Sequence, residues 1–293
     1  MNKLKMILPM LIFGTLGVFV HFIDLPIQML AALRAIIGSL FLAFFMIIRR
    51  NKINTQDIKG DLKLLIPSGI VLGFMWIFLF QAYKLSTVAI ATLCHYMAPV
   101  LVMLLSPIFF KEKLTGLKML CIAAAVAGIV LVSGLTGGSS VHLSGVLMGL
   151  LSACFYASVI IMNKFIRNLP PAETTFCQLS IAAVILSLYS LITGSFSLQA
   201  LTGKTILIVL IIGIVHTGIT YLLFFSAVEE LPAQTTAVLS YIDPITAVLL
   251  STLFLHQNMS LVQWAGAALI LGSTLVYEIA ADGIRRKPHD HMR

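Results

Sequence analysis

Apolar runs of about 20 residues recur from one end of this chain to the other, separated only by short connections. A helix that crosses a bilayer needs about 20 predominantly apolar residues. Ten segments of that kind can be marked, at 6–22, 28–48, 62–83, 88–110, 117–135, 143–163, 174–192, 205–225, 235–255 and 261–279. The connections carry turn chemistry, as in Gly137-Gly138-Ser139-Ser140 and Leu169-Pro170-Pro171. Composition agrees: 59% of the 293 residues are hydrophobic and 10% charged, against roughly 45–50% and 25% in a soluble domain. No stretch is left for a soluble domain, and the expected fold is an all-α integral membrane protein of ten transmembrane helices.

The formal charge of +8 would suggest nucleic acid if the basic residues formed a patch. They lie instead between the apolar runs. When the connections are assigned alternately to two sides, every Lys and Arg outside the spans falls on one side except Lys84 and Lys204. Basic connections stay cytoplasmic, so both termini are expected in the cytoplasm of a multi-pass cell-membrane protein. The acidic connection Glu229-Glu230-Leu231-Pro232 is tolerated because carboxylates count for little in this rule. Cys94, Cys121, Cys154 and Cys177 all fall inside apolar runs, without zinc or thioredoxin spacing, and read as small core residues. Met1 to Phe22 has the basic start and apolar stretch of a signal sequence but no small-x-small cleavage site, and reads as a retained first helix.

Displacing the sequence against itself by 145 residues superposes its two halves. Gly73 then falls on Gly218, Trp76 on Tyr221, Phe80 on Phe225, Ala82 on Ala227, Tyr96 on Tyr241 and Pro99 on Pro244. Leu104-Leu105-Ser106 falls on Leu249-Leu250-Ser251, Phe109 on Phe254, and Pro26 on Pro171. Chance apolar similarity does not hold glycines, prolines and aromatics in one register. The halves are residues 1–140 and 141–281, followed by a cytoplasmic tail at 282–293. Five helices per half is an odd number, so the second half is expected upside down relative to the first. This is the inverted repeat of many secondary transporters, whose substrate site lies near the midplane between the halves.

The residues Tyr96-Met97-Ala98-Pro99, followed by Phe110-Lys111-Glu112-Lys113-Leu114-Thr115 and a small-residue fifth helix with Ala124 and Gly128, resemble the drug/metabolite transporter superfamily, in particular its EamA-type members. The second half repeats the pattern as Tyr241-Ile242-Asp243-Pro244, the loop from His256 to Ser260, and a tenth helix with Gly266, Ala268 and Gly272. Arg34 also fits. The resemblance covers essentially the whole chain and implies ten helices, cytoplasmic termini and movement of small organic metabolites without ATP. One departure stands out: the family's acidic residue after each proline helix is Glu112 in the first half but Gln257 in the second. This suggests a structural loop contact rather than a symmetric role for the acid.

An ionisable group within the membrane is costly and needs a partner or a water-filled cavity. Asp243 stands one residue before Pro244 and shares a helical face with Thr236 and Ser240; it reads either as a proton-coupling or substrate group or as a structurally paired acid. His95, the counterpart of Ser240, lies in a stripe with Thr92, Tyr96 and Pro99, expected to face the Asp243 stripe across the pseudo-twofold axis. It is a second candidate for proton coupling, against a neutral histidine bonded to a carbonyl. Arg34 is open to three readings: a fork for a substrate carboxylate, a partner of Asp243, or a snorkelling cation. Trp76, Tyr221, Tyr96, Tyr241 and Tyr156 are either cavity lining or packing. His216 is a weaker candidate that reads as packed. Gly69/Gly73 and Gly145/Gly149 form small-xxx-small faces suited to close packing. The tail His289-Asp290-His291 has too few ligands for a closed metal site, and no cofactor or nucleic-acid partner is expected.

The leading functional expectation is a secondary transporter, working as a monomer by alternating access, that exports amino acids or related compounds. Drug efflux or solute uptake is the alternative. An intramembrane enzyme would need a nucleophile elbow, a His-Glu-x-x-His helix or paired acids, and the sequence offers none of these. A passive channel is a third possibility, distinguishable by its larger currents.

Overall fold

The computed structural model describes residues 2–49, 55–135 and 143–286. The loop glycines at 137 and 138 and the His289-Asp290-His291 tail lie outside them. The described residues form ten apolar helices in sequence. These are α1 (Asn2–His21), α2 (Ile27–Ile48), α3 (Thr55–Leu85), α4 (Val88–Phe110), α5 (Gly116–Val132), α6 (Leu143–Phe165), α7 (Pro171–Ile192), α8 (Gly203–Glu230), α9 (Ala233–Ser240 with Ile242–Phe254) and α10 (Leu261–Arg286). Among the described residues, nine are long and apolar enough to cross a membrane; α5, at 17 residues, is apolar but shorter. Seventeen residues is the lower end of what a bilayer accepts. The outward faces are greasy: Ile47, Ile192 and Leu261 are 75%, 84% and 87% exposed. Lipid favours that arrangement, because each helix satisfies its own backbone polar groups internally.

Three helices are less regular than hydropathy alone suggests. α4 is interrupted after His95, resuming at Ala98, and α9 is interrupted at Tyr241. The prolines explain both positions. Pro99 and Pro244 have no N–H to donate, and their rings crowd the carbonyl four residues earlier, which belongs to His95 and Ser240 respectively. The backbone tightens there, with Met97 N–H donating to Cys94 O at 3.1 Å and Tyr241 N–H to Val238 O at 3.3 Å. Asp243 therefore sits in the first turn of a new helical segment rather than in mid-helix.

The third irregularity is a π-helical stretch in α8, Ile211–Ile219, which the hydrophobic pattern does not show. Its widened turns are served by side chains: Thr217 Oγ1 donates to Ile212 O at 3.0 Å, and Thr220 Oγ1 to Val215 O at 2.6 Å. Short π segments inside α-helices are frequent at functional sites.

Helices of one half pack chiefly on helices of the other. α3 lies on α6 and α7, and α8 lies on α1 and α2; α4 lies on α6, and α9 on α1; α2 meets α7, α5 meets α10, and α4 meets α9. Adding five to each helix number returns the same set of pairs. Small residues allow the closest crossings, such as Gly69 against Ile181 and Gln178 O, and Gly149 against Cys94. α5 and α10 cross at Gly128 and Gly266, where a Cβ on Gly128 would stand 2.7 Å from Gly266 O and one on Gly266 would stand 2.6 Å from Gly128 O. Neither neighbour is a flexible side chain that could move aside. Gly128→Val is therefore expected to destabilise the protein by about 1–3 kcal/mol, the usual cost of overpacking. Thermal unfolding in detergent measures it, and an unchanged midpoint would show that the two helices can separate without cost.

Candidate functional site

Between the two halves lies a cavity of about 320 Å³, lined from α1, α2, α3, α4, α6, α8, α9 and α10. All eight sequence-selected site residues line it: Arg34, Trp76, His95, Tyr96, Tyr221, Ser240, Tyr241 and Asp243. The α4 stripe expected from spacing is complete, since Thr92 and Pro99 join His95 and Tyr96 on its wall. The α9 stripe is present only in part. Thr236 does not line the cavity, and its hydroxyl oxygen is buried without a partner.

The two stripes do meet. Tyr96 Oη donates to Asp243 Oδ2 at 2.6 Å, joining α4 to α9. A phenol donating to a carboxylate makes a short, charge-assisted hydrogen bond. Ser240 turns its hydroxyl to its own helix, donating to Thr236 O at 2.8 Å.

Arg34 is 2% exposed, so it does not snorkel. Nor does it form a salt bridge with Asp243, which Tyr96 engages instead. Its guanidinium carbon lies 4.1 Å from the Trp76 ring centroid and 5.7 Å from that of Phe80. Its Nε donates to Thr217 Oγ1 at 2.9 Å, and Thr217 is held within the π segment of α8. The approach is close because Gly38 on α2 has no side chain: a Cβ there would stand 2.5 Å from Thr217 Cγ2. Nη1 is buried and has no hydrogen-bond partner. Leaving a buried donor unmatched costs about 1–3 kcal/mol, and more for a charged group. Arg34 thus presents an oriented, desolvated cation with spare donor capacity on the cavity wall.

His95 is more constrained than the sequence suggests. Its Nδ1 lies 2.9 Å from Ser152 Oγ, and that hydroxyl donates its single proton to Met75 O at 3.0 Å. Nδ1 must therefore be the donor in the His95–Ser152 contact, which leaves Nε2 as the nitrogen whose proton can change. The ring stacks on Tyr156, with centroids 5.0 Å apart and planes 16° from parallel. His216, by contrast, is a packed residue. It is 1% exposed, with Nε2 2.8 Å from Thr15 Oγ1 and its ring edge-on to Phe19.

A family model described as "EamA-like transporter family" matches residues 3–134 and 143–278. The chain belongs to the EamA-like transporter family. An uncharacterized transporter of Bacillus subtilis, YxxF, is 34% identical over 278 residues, spanning 92% of this chain and 88% of the relative. A protein of Salmonella typhimurium named "Probable amino-acid metabolite efflux pump" is 26% identical over 264 residues, covering 86% of this chain and 85% of its own. A crystal structure shares the fold with a TM-score of 0.65 at 21% identity, over 96% of this chain and 98% of the other. The fold and the membership make this a multi-pass membrane transporter of the EamA type.

Several wall residues escaped the sequence reading. Tyr83 lines the cavity and accepts from Thr92 Oγ1 at 3.4 Å. It ends a predicted span, where tyrosine normally anchors at the interface. Glu278 also reaches the wall; it stands one residue from the end of the last marked span, 261–279, where a carboxylate reads as an interfacial group rather than as the costly intramembrane charge that marks a site. Met10, Phe13 and Leu16 bring α1 into the site and carry no chemical signature at all.

Proposed function

We propose that this protein is a secondary transporter that exports small zwitterionic metabolites, amino acids or close relatives, from the cytoplasm by alternating access. The observation that carries this reading is that Arg34, whose Nη1 is unmatched, lines the same small cavity as the Tyr96–Asp243 pair. A guanidinium fork suits a carboxylate, Asp243 suits an ammonium group, and the rings of Trp76 and Tyr221 supply the apolar wall between them. A volume of about 320 Å³ is at the small end of ligand pockets, which run to about 1,000 Å³. That favours a metabolite over a bulky drug. The amino-acid name of the Salmonella relative points the same way.

The halves 1–140 and 141–281 are proposed as the two inverted repeats whose exchange of conformation moves the site between the faces of the cytoplasmic membrane, with both termini inside. The pairing of helices described above and the two matches of one family model support this. A single chain holds both repeats, so a monomer suffices. The test is a thermal-shift screen of the purified protein against free amino acids, their decarboxylated amines and their des-amino acids. Counterflow of the best ligand in proteoliposomes follows. Stabilisation by the zwitterion alone supports the proposal; a response only to neutral or cationic aromatics would replace it with drug efflux.

A further inference from the structure

The loops that end α4 and α9 are the same turn used in two ways. Lys111 and His256 are the non-glycine residues with positive φ among the described residues, at 56° and 53°, and they stand 145 positions apart. The register continues through the residues around them: Ser106 matches Ser251, Glu112 matches Gln257, Thr115 matches Ser260, and Lys118 matches Gln263.

At the α9 end, the turn closes onto the start of α4. Gln257 Oε1 accepts from Val88 N–H at 2.9 Å and from Ser251 Oγ at 2.7 Å, while Ser251 Oγ accepts from Ala89 N–H at 3.3 Å. Two otherwise orphaned amides at a helix N-terminus are thereby tied to the end of a helix from the other half. At the α4 end the equivalent side chains face a second cavity of about 300 Å³, lined by Ser106, Glu112, Lys164 and Tyr277, which shares Pro99, Ile160 and Glu278 with the central cavity. Here Lys118 Nζ donates to Glu112 Oε2 at 2.8 Å and to Ser106 Oγ at 3.3 Å. Val88 and Ala89 correspond in register to Ala233 and Gln234, the first residues of α9, whose cap position is Pro232 and supplies no side-chain cap.

We propose that Ser251–Gln257 and Ser106–Glu112 are alternating latches, one closing each end of the cavity, and that Lys118 holds the second one open. This rests on the alternating-access part of the proposed function. When the protein switches, Gln257 leaves the α4 amides, and Glu112 exchanges the Lys118 ammonium for the amides of Ala233 and Gln234. The charge difference between the latches follows from these partners. A carboxylate is attracted both to an ammonium and to the positive end of a helix dipole, so it can trade one for the other. Gln257 has no lysine to trade with, since Gln263 stands at that place and its Nε2 is bonded to Val132 O at 3.3 Å.

The test is cysteine labelling by a membrane-impermeant maleimide in sealed vesicles, with the four natural cysteines replaced by alanine. Val102→Cys lines the second cavity and should label from the lysine-rich side. Adding Lys118→Gln should slow that labelling about tenfold, the shift that one charge-assisted hydrogen bond supports, and adding Glu112→Ala as well should restore it. At the other end, Gln257→Ala should raise labelling of Ala247→Cys, the register mate of Val102, from the opposite side. Unchanged labelling in Lys118→Gln, a slowing that Glu112→Ala does not reverse, or no rise with Gln257→Ala would each overturn the proposal. If Lys118→Gln does not reach the membrane, the Gln257→Ala arm decides alone. Labelling requires no substrate, so the outcome is separate from that of the zwitterion reading.

Discussion

Replacing Arg34 with alanine should weaken binding of a carboxylate-bearing substrate about 100-fold, and replacing it with lysine about tenfold. The argument begins with what surrounds the guanidinium. Trp76 and Phe80 lie against it and Thr217 accepts from Nε, leaving Nη1 buried and unmatched in a side chain that lines the cavity. A substrate carboxylate there gains charge-assisted hydrogen bonds, worth about 1.5–3 kcal/mol each. Lysine keeps the charge and loses the planar fork, so it recovers part of the difference. Titration of the purified variants with an amino acid and with its decarboxylated amine separates recognition from folding. The wild-type preference for the amino acid should disappear in Arg34→Ala while the affinity for the amine stays within a few-fold. An equal loss for both ligands would make Arg34 a structural cation and remove the carboxylate from the substrate description.

Such a cation was visible in the sequence, but its environment was not. An arginine inside an apolar run can hold a substrate carboxylate, pair with an acid such as Asp243, or snorkel, and residue type alone leaves all three readings open for Arg34. Its burial excludes the snorkelling one, and Gly38 sets its place by letting α2 approach α8 closely enough for Thr217 to reach Nε. That contact joins residues 183 positions apart, and no local pattern encodes it. The π stretch of α8 was equally silent, because its apolar residues satisfy a 3.6-residue period nearly as well as a wider one. Thr217 and Thr220 stabilise the offset carbonyls only in the folded helix.

What was legible followed from the bilayer and from duplication. Lipid forces backbone bonds to close within each helix, so span number follows from hydropathy, with errors of a few residues at the ends. Hydropathy places α5 at 117–135, and the helix ends at Val132; it starts α3 at 62, and that helix begins at Thr55. The matched Tyr-x-x-Pro pairs pointed to α4 and α9, and the Tyr96–Asp243 hydrogen bond joins those two helices. The same register could not separate Thr236, which packs, from Ser240, which lines the wall: a shared helical face does not reveal which edge of it a neighbour covers.

Asp243→Asn should slow substrate exchange by no more than about tenfold, the loss of one charged contact to the substrate ammonium group, and abolish accumulation driven by a proton gradient. Asparagine has nearly the shape of aspartate, and its carbonyl oxygen can still accept from Tyr96, whose hydroxyl now donates to Oδ2 at 2.6 Å. The contact between α4 and α9 therefore survives, and exchange of labelled for unlabelled substrate across proteoliposomes should stay within about tenfold of wild type, the effect expected from weakening one charged hydrogen bond to a neutral one. What asparagine lacks is any group that takes up and releases a proton, so a carrier that couples through this position loses its driving force. His95 is the competing carrier, because its Nε2 is free to change protonation while Nδ1 is committed to Ser152. The paired variant His95→Gln separates the two. Uphill accumulation lost in Asp243→Asn and kept in His95→Gln assigns coupling to the acid. The reverse assigns it to the imidazole and makes the Tyr96–Asp243 pair a structural tie between the halves. Accumulation retained in both would place proton coupling at a group other than Asp243 and His95, whereas a wild-type protein that shows none would leave the solute's own gradient as the driving force.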